Sequence, residues 1–241
     1  PPLQPLIDAD CLGQDLTKKA PANNQLMFRG RSMYPEYLTD AAVLVCPSDS
    51  NGSDLYEEGI WAPYDNFSLG TRLKGSIEPC FIHPLSYVYL PWLIKPEMVL
   101  DEATFDMDPR FQQALIKNSI ANGDGDWSFV DENNVTQSVM FLKQGIARFT
   151  IKDINNPAQG HIAESQLPIL FDIISVYPMD YNHIPGGANV LFMDGHVTFE
   201  HYRKSQYYPL TPAWASFNNM QTHQAPEGSR KKQHAFLEGI P

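Results

Sequence analysis

Apolar residues along this chain gather in short runs between polar, Pro- and Gly-rich stretches, and no run approaches the roughly 18 residues that a bilayer-spanning helix needs. Residues 1–30 show little periodicity and read as an irregular lead-in. The run Ala41 to Cys46, ended by Pro47-Ser48-Asp49, suits a buried strand feeding a turn, and residues 49–80 read as an exposed excursion. Ser86 to Leu90, rich in aromatic and branched residues, predicts a second strand. Asp108 and Pro109 before Phe111, Ala114, Leu115, Ile116 and Ile120, with Gly123 beyond, carry the start and stop signals of a helix. Residues 122–134 have the Gly, Asp and Asn content of a loop. Residues 136–152 place apolar side chains at both helical and strand spacings, so periodicity leaves their type open. Leu167 to Val176 reads as a buried strand carrying one carboxylate, Asp172.

The clearest local pattern is NVLFM-DG-HVTFE over 189–200. Asp-Gly between two apolar runs predicts a hairpin closed by a two-residue type I′ turn. That turn sets the register: Met193 opposite His196, Phe192 opposite Val197, Leu191 opposite Thr198, Val190 opposite Phe199 and Asn189 opposite Glu200. Val190, Phe192, Val197 and Phe199 then make one apolar face toward the core, and His196 sits at a half-solvated tip beside Asp194. Gly186-Gly187 give a tight approach to the strand. Together these elements predict a mixed, sheet-centred protein of the α+β class with long loops.

Composition changes this picture in two ways. A net charge of −11 with no basic stripe argues against nucleic acid and anionic membrane surfaces as partners. The 20 Pro and 15 Gly mean that irregular connections occupy much of the chain. The aromatic residues Trp61, Tyr64, Trp92, Tyr207, Tyr208 and Trp214 fit either a subunit interface or a core closed beneath loops.

Two groups of residues offer ligand chemistry. His183, Asp194 and His196, with Asp172, supply imidazoles and carboxylates suited to a transition metal such as zinc or ferrous iron. The plainer reading is that Asp194 makes the turn, His196 covers an apolar neighbour and His183 bonds the Gly-Gly loop. Asn122, Asp124, Asp126 and Asp131 alternate side-chain oxygens as the start of a calcium loop does, although Asn133 stands where the terminal Glu would be; the alternative is a solvated acidic loop. No Gly-x-Ser-x-Gly elbow, phosphate loop or zinc-type cysteine spacing occurs, so no catalytic residue is assigned.

The stretch YNHIPGGANVLFMDGHVTF, with His183, Gly186, Gly187, Asn189, Asp194, Gly195, His196 and Val197, resembles the C-terminal signature of bacterial prepilin-type, processing-associated proteins related to type II secretion pseudopilins. VLVCPSDS at 43–50, SYVYLPWL at 86–93 and GIARFTIKDINNPAQ at 145–159 are similar to the same family, in the expected order. One extra residue, Pro185, lengthens the His183 to Asp194 spacing.

The resemblance implies a pilin-like head at 31–210, an antiparallel sheet packed on a helix, with a C-terminal extension at 211–241. It also implies a non-catalytic subunit of an exported pseudopilin or type IV pilus-like system, assembling with other pilin-like subunits or itself. Such a subunit is periplasmic or at the cell surface, and its membrane anchor, a long apolar N-terminal helix, is not among these 241 residues. Some major pseudopilins bind calcium in their C-terminal loops. A metal-dependent enzyme using His183, Asp194 and His196, and an exported ligand-binding or display module, are the alternatives. In an exported protein, Cys46 with Cys80, which flank the loop-rich insertion, is the expected disulfide.

Overall fold

The computed structural model describes residues 26–63, 71–99, 107–120, 125–143, 164–175, 181–183, 186–201 and 208–215. Side-chain caps decide where its helices begin. Asp40 accepts a hydrogen bond from the Ala42 amide at 2.9 Å and starts a 3-10 turn over Ala41–Leu44, where the apolar run predicts a strand. Asp49 accepts from the Gly52 amide and opens helix α1, Ser50–Glu57, inside the stretch that reads as an exposed excursion. After the single turn α2, Pro96–Val99, helix α3 spans Pro109–Ile120, and the Asp108 carboxylate accepts from the Arg110 amide at its start. The predicted helix is therefore present. None of the described helices is long and apolar enough to cross a membrane.

Seven described strands form two antiparallel sheets, which makes the chain an α+β protein. The larger sheet orders β1 (Tyr87–Tyr89), β5 (Pro168–Asp172), β6 (Gly187–Phe192) and β7 (Val197–His201) side by side. The smaller orders β2 (Trp92–Leu93), β4 (Thr136–Phe141) and β3 (Trp127–Val130). Strand β3 lies in the stretch that reads as a loop. Its Trp127 and Phe129 alternate inward and meet Phe111 of α3 at ring centroid distances of 5.9 and 5.5 Å.

The β6–β7 hairpin forms one residue out of the predicted register. The Gly195 amide donates to the Phe192 carbonyl at 2.9 Å and the Phe192 amide donates to the His196 carbonyl at 3.0 Å, with Gly195 at φ +91°. Met193, Asp194 and Gly195 thus make a three-residue loop with glycine in the left-handed position, in place of a two-residue turn. Leu191 stands opposite Val197, Val190 opposite Thr198 and Asn189 opposite Phe199. Because side chains alternate, the shift turns β7 over. Val190 and Phe192 still face the core, at 0% and 8% exposure, whereas Val197 and Phe199 point the other way, at 60% and 44%.

Among the described residues the main core cluster takes side chains from both sheets. It joins Val88, Phe171 and Val190 of the larger sheet to Trp92, Phe111 and Trp127, and takes in Leu26, Met27 and Phe28 before residue 31 and Ala213, Trp214 and Ala215 after residue 210. Trp61, Trp92 and Trp214 are wholly buried within it and Tyr208 packs against it, so these aromatics close the core; Tyr64 and Tyr207 lie outside the described residues.

Candidate functional site

The face of the larger sheet opposite the Val88–Phe171–Val190 row carries two cross-strand rows. One joins Tyr89, Leu170, Leu191 and Val197. The other sets Tyr87 opposite Asp172 on one side and Asn189 opposite Phe199 on the other. The two halves of this second row are tied together by Asp172, whose Oδ2 accepts from the Asn189 amide at 2.6 Å and from Asn189 Nδ2 at 3.0 Å.

Asp172 is fully buried. Its Oδ1 accepts from Asn182 Nδ2 at 3.4 Å, and the same amide donates to the Ser86 carbonyl at 2.6 Å. The Ser86 hydroxyl donates to Asp49 at 2.8 Å, so the cap of α1 and the end of β5 belong to one polar network. Such a network stabilises the fold only when each member is satisfied, and here it links segments far apart in sequence. His183 Nε2 lies 3.1 Å from Asp172 Oδ2, 3.0 Å from Asn189 Nδ2 and 3.6 Å from Cys46 Sγ. Burial raises the Cys46 thiol pKa, and the negative charges of Asp172 and Asp49 add to the effect. Tyr87, beside Cys46, is pushed up to about 12, again by burial first and then by Cys46 and Asp172.

The glycines explain how the strands approach so closely. The Gly186 amide donates to the His183 carbonyl at 3.0 Å. A Cβ on Gly187 would lie 2.4 Å from the Phe199 ring, so only glycine fits beneath it. Phe199 in turn meets the His183 ring edge-on at 5.7 Å.

The residues that the sequence groups as one metal site separate into two places. His183 and Asp172 come together with Cys46, and among the described residues this is the cluster of three ligand-bearing side chains. Asp194 and His196 do not join it. They stay at the hairpin tip, where His196 Nδ1 pairs with Asp194 Oδ1 at 2.5 Å and the His196 ring stacks on Phe192 at 4.6 Å. The hydrogen bonds from His196 hold the Asp194 carboxyl below its usual range. The three-residue loop is the physical reason, since it seals these two side chains against each other and their own hairpin.

Of the proposed calcium ligands, Asn122 and Asp124 lie outside the described residues. Asp126 accepts from the Phe141 amide at 2.7 Å and pairs with Lys143, while Asp131 accepts from the amides of Asn133 and Val135 and from Gln137 Nε2. Both carboxylates serve the β3–β4 hairpin. The expected Cys46–Cys80 disulfide does not form, because Cys46 is a free thiol and Cys80 is disulfide-bonded elsewhere. Cys46 sits beside His183, whereas Cys80 lies in the turn Pro79–Phe81 that packs against Gly30. Cys11 lies outside the described residues.

Sequence reasoning assigned Cys46 to a disulfide and left it out of the metal set. Its place in VLVCPSDS gave no ligand spacing with a residue 137 positions away. No family model, curated protein or solved structure matches the chain. The fold and site define an α+β protein with an Asp-His-Cys cluster on one sheet face, and the family resemblance rests on the motifs quoted above.

Proposed function

We propose that this chain is the head of an exported pilin-like subunit that works by assembling with like subunits or with itself. The observation that carries the reading is the outer edge of the larger sheet. Among the described residues β7 pairs only with β6, and it exposes Val197 and Phe199 at 60% and 44%. The half-buried Leu170 and Leu191 continue the row from Val197 toward the sheet centre. Unpaired strand edges with apolar side chains are templates for another chain, and proteins that stay apart blunt them with charge or cover. Val197-Thr198-Phe199 carries no charge, and the one carboxylate of β7, Glu200, stands toward its far end.

Two further points support the reading. The signature residues have architectural roles: Gly195 turns the hairpin, Gly187 admits Phe199, and Asn189 and His183 bind Asp172. The disulfide at Cys80 fits export, since such bonds persist in oxidising compartments.

Sedimentation velocity over a concentration series tests association at this edge. The sedimentation coefficient of the wild-type chain is expected to rise with concentration, and that of Val197→Lys to stay at the monomer value with an unchanged circular dichroism spectrum. A wild-type chain that remains monomeric throughout contradicts the reading.

A further inference from the structure

We propose that Cys46, Asp172 and His183 bind a divalent transition metal of zinc's type, in a site separate from the assembly edge. The thiol sulfur, the carboxylate oxygen and the imidazole nitrogen all lie within 4.8 Å of one another. They come from three distant stretches of chain, the segment before α1, the end of β5 and the loop before β6.

The two distances from the imidazole nitrogen are close to those of a coordination sphere. A tetrahedral zinc with bonds of about 2.05 Å to nitrogen, 2.3 Å to sulfur and 2.0 Å to oxygen sets nitrogen and sulfur about 3.6 Å apart and nitrogen and oxygen about 3.3 Å apart. In this protein His183 Nε2 is 3.6 Å from Cys46 Sγ and 3.1 Å from Asp172 Oδ2. Three protein ligands leave the fourth position for water or another small ligand. The His183 side chain, 24% exposed, marks the open side, while Asp172 is closed off.

The hydrogen-bond pattern around Nε2 points the same way. Asn189 Nδ2 stands within hydrogen-bond reach of both Asp172 Oδ2 and His183 Nε2. An amide NH2 has two hydrogens and no lone pair to offer, so it satisfies both neighbours only when Nε2 is unprotonated. With Nε2 protonated the ring N–H donates to Asp172 Oδ2 at 3.1 Å; with Nε2 unprotonated its lone pair faces the carboxylate, and a cation takes the place that the proton holds in the other form. Turning the amide over does not help, because its oxygen would then face the carboxylate.

The same geometry argues against a cysteine nucleophile. A Cys-His-Asp triad places the thiol on one ring nitrogen and the carboxylate on the other, so that the carboxylate orients the base. In this cluster both groups meet the same nitrogen. A thiolate ligand also favours zinc-like ions over calcium or magnesium, which take oxygen ligands. Binding displaces the Cys46 proton to solvent, one per ion, so affinity rises with pH.

Cobalt(II) titration of the purified, tag-free chain under anaerobic conditions tests the site. A thiolate-to-cobalt charge-transfer band saturating at one ion per chain, bleached by zinc and missing in Cys46→Ser, is expected. His183→Gln should weaken binding by at least about tenfold, the loss that removing even a hydrogen-bonding partner of a ligand brings. If saturating cobalt gives the wild-type chain no such band, or if folded Cys46→Ser keeps the band, the proposal is overturned. Should Cys46→Ser fail to fold, the wild-type titration and its proton release at two pH values decide the matter. Because Val197 is not a ligand, Val197→Lys should bind cobalt normally, which separates failure of this site from failure of the assembly reading.

Discussion

Replacing Gly187 with alanine measures how tightly β6 and β7 close on each other. Gly187 is not among the residues with positive φ, so its backbone suits alanine. With nothing in the way, the substitution would stabilise the protein by about 0.4–1 kcal/mol, because alanine loses less freedom on folding. The structure puts two groups in the way. The new Cβ would lie 2.4 Å from Phe199 Cζ and 2.9 Å from the Glu200 carbonyl oxygen, against an ordinary contact of 3.4 Å. The ring must therefore retreat by 3.4 − 2.4 = 1.0 Å and the carbonyl by 3.4 − 2.9 = 0.5 Å.

Phe199 is 44% exposed and can swing outward, but it then leaves His183, its edge-on partner at 5.7 Å. Overpacking of this kind costs about 1–3 kcal/mol, so the net loss is about 1–2 kcal/mol after the entropic gain. Urea unfolding followed by tryptophan fluorescence should show a lower midpoint at unchanged slope, and the melting temperature should fall by about 2–8 °C. In a double-mutant cycle, Phe199→Ala removes most of the obstruction, so Gly187→Ala should cost at least about 1 kcal/mol less in that background. Equal stability of wild type and Gly187→Ala, or strict additivity with Phe199→Ala, would refute the reasoning.

Two further outcomes follow from single residues. His83 is buried with its Nδ1 bonded to the Phe81 carbonyl at 2.8 Å, and burial lowers its pKa from 6.5 to about 4. Between those values the unfolded chain binds the proton and the folded protein does not, so stability is full above pH 6.5 and falls as pH drops toward 4. The difference, 6.5 − 4 = 2.5, sets an upper limit of about 3 kcal/mol at about 1.36 kcal/mol per pH unit. Unfolding free energies of wild type and His83→Asn across this window check it, and a variant that keeps the full slope shows that other groups carry it. Asp131 holds the β3–β4 turn through the Asn133 and Val135 amides. Amide exchange by NMR should therefore speed up at both positions in Asp131→Ala but not in Asp131→Asn, and equal protection in the two variants would show that the strands alone fix the turn.

The sequence was most legible where a local signal and the tertiary context agree. Asp108-Pro109 begins a helix because the carboxylate and the proline each suit its first turn, and the structure has one at Pro109–Ile120. Ala41 to Cys46 misleads because burial alone does not choose between strand and turn, and the Asp40 cap decides for the turn. Strand β3 hides in a stretch rich in Asn, Asp and Gly, of which Asp131 to Asn134 make the turn into β4. Asp-Gly predicts the hairpin but not its register, since the pair also serves a three-residue loop when Gly195 takes the left-handed position.

The candidate site was half legible. Asp172 stands out as a carboxylate in an apolar run, and His183 belongs to the quoted motif. Their junction with Cys46 depends on how β5, β6 and the chain before α1 stack, and no spacing encodes that. Asp194 and His196, members of the same motif, are turned away by a loop one residue longer than expected.

Assembly through the β7 edge is tested most directly by placing a photo-crosslinking amino acid at position 197 of the full-length protein in its native cells. Illumination should yield a covalent adduct with a second copy of this chain or with another pilin-like subunit, identified by mass spectrometry, while the same probe at the buried position 190 yields none. Position 190 is fully buried and position 197 is 60% exposed, so the pair separates contact at the edge from nonspecific capture. If no protein adduct forms at 197, or if the captured protein has no pilin-like character, assembly through this edge is contradicted.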